Sequence, residues 1–192
     1  MNTRIVFLVG LIAFSYTGNC QIEKGNWLVG GSGSYNRTKS EGLSKYTSRT
    51  VDFAIPVGYF IKDKFAAGIM ANILFSKEEF PQIDGTTAKQ TFNQVGIGPF
   101  MRYYFLKFSG NINILSEGSV LYTTGKVKNR GTTIDQPAFL DYSFYTGPVI
   151  FFNSSVGLEF LLGYKYSSYT DIDIQEKSIK FKIGFQIHLE KK

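Results

Sequence analysis

Ser178-Ile179-Lys180-Phe181-Lys182-Ile183-Gly184-Phe185-Gln186-Ile187-His188-Leu189 alternates without a break. Ile179, Phe181, Ile183, Phe185, Ile187 and Leu189 form one set, and Ser178, Lys180, Lys182, Gly184, Gln186 and His188 form the other. A period of two puts each set on its own face of a β-strand, whereas a helix would scatter the apolar residues around its circumference. Seven further segments carry the same period. They centre on Trp27-Tyr35, Val51-Tyr59, Phe65-Phe75, Val95-Phe105, Ile112-Tyr122, Tyr142-Phe152 and Val156-Tyr166. No segment shows a convincing helical period, so the chain reads as eight strands.

The connections alternate in length. Long polar ones lie around Asn36–Lys45, Lys77–Lys89, Thr123–Gln136 and Thr170–Glu176. Short ones lie around Ile61–Lys64, Leu106–Ser109 and Asn153–Ser155. An even strand number with alternating long and short links is an up-and-down antiparallel barrel, with both termini on the short-turn side.

Alternation alone does not say which set faces inward. A soluble carrier barrel holding an apolar ligand puts the apolar set inside, and a membrane barrel puts it outside. The polar set is dominated at mid-strand by Gly, Ser, Ala and Asn, with isolated charges. Such small residues suit a narrow lumen better than a solvent face, which favours Lys, Glu and Thr. The apolar core of most strands covers about nine to eleven residues, the length a tilted strand needs to cross hydrocarbon. Aromatics cluster near its ends. Trp27, Tyr59, Phe65, Tyr103, Phe105, Phe108 and Phe152 fall toward the short turns, and Tyr35, Phe75, Tyr122, Tyr142, Tyr164 and Tyr166 toward the long links. They read as two interfacial girdles. In lipid every backbone N–H and C=O needs a partner, and a closed sheet supplies them. The fold expected is an all-β, eight-stranded antiparallel up-and-down transmembrane β-barrel.

Composition agrees. The chain has 192 residues, 16% of them aromatic, which is unlike a disordered chain. A mean hydropathy of -0.06 excludes a bundle of membrane helices but not a barrel, whose lumen dilutes the average. The net charge is +6, without a single basic block, so a nucleic-acid role has little support.

The first twenty residues read as an export signal: Arg4, an apolar run from Ile5 to Phe14, then Ser15, Thr17, Gly18, Asn19 and Cys20. Gly18 and Cys20 occupy the −3 and −1 positions for cleavage before Gln21. Lipidation of Cys20 is the lesser alternative, because Asn19 fits such sites poorly. The expected division is 1–20 signal peptide and 21–192 barrel domain. One Cys allows no internal disulfide.

Several pieces carry a resemblance: Gln21 to Gly31, Val57-Gly58-Tyr59-Phe60, Gly98-Pro99-Phe100-Met101-Arg102-Tyr103-Tyr104-Phe105, Val156-Gly157-Leu158-Glu159 and Gly163-Tyr164. Each is low in specificity, and their order and spacing carry the weight. The mature chain resembles small outer-membrane β-barrel proteins of Gram-negative bacteria, the OmpA/OmpX-like porin superfamily. It departs at its end, Leu189-Glu190-Lys191-Lys192, where such barrels usually finish on an aromatic. The resemblance implies outer-membrane localisation, a monomer and contact with the barrel-assembly machinery. It implies no single activity, since members are structural, adhesive, resistance-related or weakly channel-forming.

The expected lumen set is Asp52, Arg102, Glu117, Asp141, Glu159, Lys165, Lys180, Lys182 and His188. Buried in a membrane barrel, these groups need partners or water. Their leading reading is a hydrogen-bonded plug; the alternative is a narrow solute, ion or proton path. A turn at Leu106–Ser109 would set Arg102 beside Asn113 and Gly98 beside Glu117, keeping Arg102 and Glu117 off one another's ladder. The same reasoning in the last hairpin would place Glu159 near His188 and Lys165 near Lys182. His188 has no evident nucleophile, so no enzyme and no catalytic residue is expected. No cofactor is expected. Asp171, Asp173 and Glu176 read as a solvated acidic loop before a cation site. Arg37, Lys39, Lys45, Arg49, Lys126, Lys128 and Arg130 flank the first and third long links and suit lipopolysaccharide phosphates. The function expected is an outer-membrane barrel with a structural or surface-interaction role, with an unidentified ligand or partner at its long extracellular loops.

Overall fold

A computed structural model describes residues 22–40, 46–81, 86–106, 111–129, 131–169 and 175–190. The export signal, Cys20, Lys45, Phe108, Arg130, Asp171 and Asp173 lie outside these described residues.

Eight strands follow in order: β1 (Trp27–Ser40), β2 (Tyr46–Lys62), β3 (Phe65–Pro81), β4 (Thr87–Tyr104), β5 (Ile112–Asn129), β6 (Thr132–Phe151), β7 (Val156–Tyr169) and β8 (Gln175–Leu189). Each pairs antiparallel with the next, and β1 closes on β8 from Trp27↔Leu189 to Gly33↔Ile183. The result is a closed up-and-down barrel, so each strand has a partner on both edges.

The pleat sorts the two sets as the mid-strand residues require. Side chains of the aliphatic and aromatic set stand on the outer wall, with Ile69, Ile97, Leu162 and Ile179 all exposed. Asp52, Arg102, Glu117, Asp141, Glu159 and Lys182 are buried inside. The apolar set does not converge on a cavity.

Four corrections concern links and register. The links expected over Lys77–Lys89 and Thr123–Gln136 are mostly strand, because β3 runs to Pro81, β4 starts at Thr87, and β5 and β6 pair up to Asn129↔Thr132. Gly131 takes a φ of 90 at that last turn, a left-handed conformation that a side chain resists. Second, Arg102 pairs directly with Glu117, four residues along β5 from the expected Asn113. The hairpin is longer than read. Asn113 Oδ1 accepts from Leu106 N at 3.0 Å and its Nδ2 donates to Leu106 O at 3.2 Å, so a side chain continues the ladder beyond the strand end. Third, Glu159 faces Gly184, not His188. Fourth, Lys165 faces Ser178, not Lys182. In this last hairpin the ladder runs from Val156↔Ile187, which leaves His188 beyond it, its N–H bonded to Ser155 O at 2.7 Å.

The short-turn end is sealed by apolar packing. Ile22, Leu28, Phe60, Tyr104, Leu115, Val149 and Phe151 are buried there. Residues ahead of β1 are tied down: Lys64 N donates to Ile22 O at 2.8 Å, Gly25 N to Phe60 O at 2.9 Å and Lys24 N to Asp63 Oδ1 at 2.8 Å. That cork of Ile22 was not legible from alternation, because it precedes the first strand.

Candidate functional site

Inward positions on β2, β4, β5, β6, β7 and β8 meet on the barrel axis, where small neighbours leave room for charged side chains. Gly68 and Gly163 show how tight the wall is. A Cβ on Gly68 would lie 2.1 Å from Val57 O, and one on Gly163 would lie 2.2 Å from the Tyr145 ring.

Arg102 is the hub and is 1% exposed. Its Nε donates to Glu117 Oε2 at 3.0 Å and its Nη2 bonds the same oxygen. Its Nη1 donates to Glu159 Oε2 at 2.9 Å and to Gln186 Oε1 at 2.6 Å. Tyr104 Oη donates to the same Gln186 oxygen at 2.6 Å. The planar guanidinium fork thus ties β4 to β5, β7 and β8. Lys182 lies with its Nζ 3.8 Å from the Tyr145 ring centroid, a cation on an aromatic face.

Two further clusters involve lumen charges. Asp52 accepts from Lys180 Nζ at 2.7 Å and from Asn72 Nδ2 at 2.6 Å. Asp141 accepts from Lys165 Nζ at 2.8 Å, from Thr123 Oγ1 at 3.0 Å and from Ser167 Oγ. Asp52, Glu117, Asp141 and Glu159 are therefore set against Arg102, Lys165, Lys180 and Lys182, and this set of formal charges cancels. His188 stands apart from the ion pairs. It sits among the Phe60, Tyr104 and Phe151 rings, with Nε2 3.4 Å from Tyr104 Oη. Among the described residues the imidazole has Tyr104 Oη as its one side-chain hydrogen-bond partner. Gln186 Nε2 and His188 Nδ1 are the buried side-chain polar atoms without a partner among the described residues.

Reading the residues by pleat puts Gln186, Tyr104 and Tyr145 inside, but not in the network. Their part depends on cross-lumen reach, which spacing along one strand does not encode.

Above these clusters a cavity of about 830 Å³ lies at the end of the barrel near the long hairpins, and its lining extends to Tyr35, Ile179, Phe181 and Ile183 beside the β1–β8 seam. Lys165 and Lys180 reach it from below. Only about 10 Å³ of free space is found beside the Asp52, Asp141 and Lys182 side chains.

The outer wall carries the aromatic set. Trp27, Tyr35, Phe75, Tyr103, Phe105, Tyr122, Tyr142, Phe152 and Tyr164 are exposed, and Tyr59, Phe65 and Tyr166 are half-buried. Trp27 meets Tyr59 edge-on at 5.4 Å, and Tyr103 meets Phe105 at 5.0 Å. One ladder row runs Tyr35↔Val51↔Phe75, and two residues further on a second row runs Arg37↔Arg49↔Lys77. Lys128 continues that second row across Thr91. Lys126 lies 3.9 Å from Asp135. Among the described residues no three His, Cys, Asp or Glu side chains are placed to share a metal ion.

No family model matches the chain, and no curated protein matches it in sequence. Solved structures do resemble it. The outer membrane protein OprG from Pseudomonas aeruginosa superposes with a TM-score of 0.55 at 11% identity, over 90% of this chain and 100% of that one. Neisserial surface protein A gives a TM-score of 0.49 at 15% identity, over 85% of this chain and 97% of the other. The first of these likenesses supports the barrel fold.

Proposed function

We propose that the chain is a monomeric outer-membrane barrel with a plugged lumen, working as a structural or surface-interaction protein through its long hairpins. One observation carries the reading: large aliphatic and aromatic side chains are exposed all around the wall, while ionisable groups are buried inside it. In water that wall would be a very large exposed apolar patch, of the kind soluble monomers avoid. In a bilayer the same wall meets acyl chains and the lumen charges satisfy one another. A soluble carrier of apolar ligands would need the opposite arrangement.

The row Arg37, Arg49 and Lys77 follows directly on the apolar row of Tyr35, Val51 and Phe75. Cations at that height suit the phosphates of lipopolysaccharide, with Arg able to grip bidentately. The β1–β8 seam is the last pairing the chain can make, and its closure is the step that barrel-assembly machinery would assist. A catalytic role has no support from the surroundings of His188.

Membrane fractionation with unboiled and boiled gel migration tests the placement, and planar-bilayer recording tests the plug. The barrel is expected in the detergent-requiring fraction, with a heat-dependent shift and no steady conductance. Release without detergent contradicts the membrane reading. A steady single-channel current contradicts the plug and favours the narrow channel.

A further inference from the structure

The 830 Å³ cavity lies within the range of about 300–1,000 Å³ typical of small-molecule sites. Its walls differ in chemistry. Ser34, Ser48, Thr50, Ser76 and Ser178 line it from β1, β2, β3 and β8. Phe92, Phe139 and Tyr169 line it from β4, β6 and β7, and Phe139 meets Tyr169 at 4.8 Å between ring centroids. Gln94 Nε2 donates to Gln136 Oε1 at 3.0 Å within this second wall. Lys165 and Lys180, each bonded to one carboxylate oxygen, form the floor. Asn36, Glu176 and Lys177 lie at its rim and are exposed among the described residues.

We propose that this cup binds a short saccharide, between its aromatic wall and its hydroxyl-lined wall. A pyranose ring has an apolar C–H face and an edge of hydroxyls. The rings of Phe92 and Tyr169, the latter backed by buried Phe139, suit the face. The hydroxyls and the spare ammonium protons of Lys165 and Lys180 suit the edge, since each lysine has three donors. An apolar ligand would leave the hydroxyl wall and floor unpaired, which costs affinity. An inorganic anion would find both ammonium groups already neutralised by Asp52 and Asp141. The proposal rests on the hairpin end facing the outside, where sugars occur free or as the ends of surface glycans.

The test uses the full mature chain folded in detergent, with its gel shift on heating checked first. Trp27 is the sole tryptophan and lies at the other end of the barrel. Trp27→Phe with Tyr169→Trp therefore places the only indole in the cup. Its fluorescence is titrated with maltose, lactose, cellobiose, maltotetraose and inorganic phosphate. The expected result is a saturable shift with at least one sugar, reduced at least tenfold in apparent affinity by Ser178→Trp in a parallel dialysis assay with the labelled sugar. Tighter binding of maltotetraose than of maltose would assign the cup to glycan ends, and equal binding to free sugars. Three results overturn the proposal: no saturable response to any sugar, a sugar response that Ser178→Trp leaves intact, or a phosphate response alone. A barrel that keeps its heat shift but binds no sugar counts against the cup and not against the membrane reading.

Discussion

Arg102 on β4 holds side chains from three other strands through one guanidinium, and it is 1% exposed. Removing it leaves Glu117 and Glu159 buried without their counter-charge. Breaking a buried pair costs about 3–5 kcal/mol, while replacing the whole set by neutral groups of similar volume is often tolerated. Arg102→Ala should therefore lose about that much unfolding free energy in urea titrations of the barrel in lipid vesicles. Arg102→Met combined with Glu117→Gln and Glu159→Gln should recover most of it. Equal losses in the two variants would mean that packing, not charge balance, sets the value of the hub. The inward identity of all nine expected lumen residues follows from the pleat, but their partners do not. Arg102 and Glu117 are ladder neighbours because the β4–β5 turn is centred two residues later than Leu106–Ser109 suggests. The pairing thereby moves by four residues, an even number that keeps every side chain on its face, so the hydrophobic pattern carries no signal of it.

At the scale of elements, strand interiors were legible and strand ends were not. Between Val95 and Phe105 the wall alternates between lipid-suited and lumen-suited residues, and the reading is unambiguous. From Thr124 to Asn129 and from Thr132 to Gln136 both faces carry polar residues, yet both stretches are strand. Beyond the apolar band neither face meets acyl chains, so the period of two loses its contrast and the extension reads as loop. Among the described residues the long-hairpin end is therefore built largely of paired strand. The β2–β3 turn offers a second measurable point. Lys64 has a φ of 65, the left-handed region that costs a side chain about 1–2 kcal/mol. Its backbone is pinned on both sides, N–H to Ile22 O at 2.8 Å and C=O accepting from Tyr104 N at 2.9 Å. Lys64→Gly should keep these bonds, relieve the strain and raise unfolding free energy by up to about 1 kcal/mol. A drop in stability would show that the chain entropy added by Gly exceeds the strain removed.

Across the whole molecule the hydrophobic effect is turned outward. The interior passes from an apolar cork at Ile22 and Phe60, through balanced ion pairs around Arg102, to a polar cup bounded by Ser76 and Tyr169. Closure of β1 on β8 from Trp27↔Leu189 to Gly33↔Ile183 pairs the backbone across the seam over that stretch, as a wall in hydrocarbon requires. The proposed sugar cup, the proposed lipopolysaccharide contact of the basic row and the proposed plug all depend on that placement, because each takes its environment from the height at which the apolar wall ends.

Single spin labels on a barrel reconstituted in lipid vesicles test this placement. Single cysteines replace Leu162 and Ile97 on the wall, and Ser178 and Ser34 in the cup. Collision with dissolved oxygen is compared with collision with a water-soluble nickel chelate. Leu162→Cys and Ile97→Cys should favour oxygen strongly, and Ser178→Cys and Ser34→Cys should favour the chelate. Chelate-accessible labels at Leu162 and Ile97 would contradict a lipid-facing wall, and with it the membrane role.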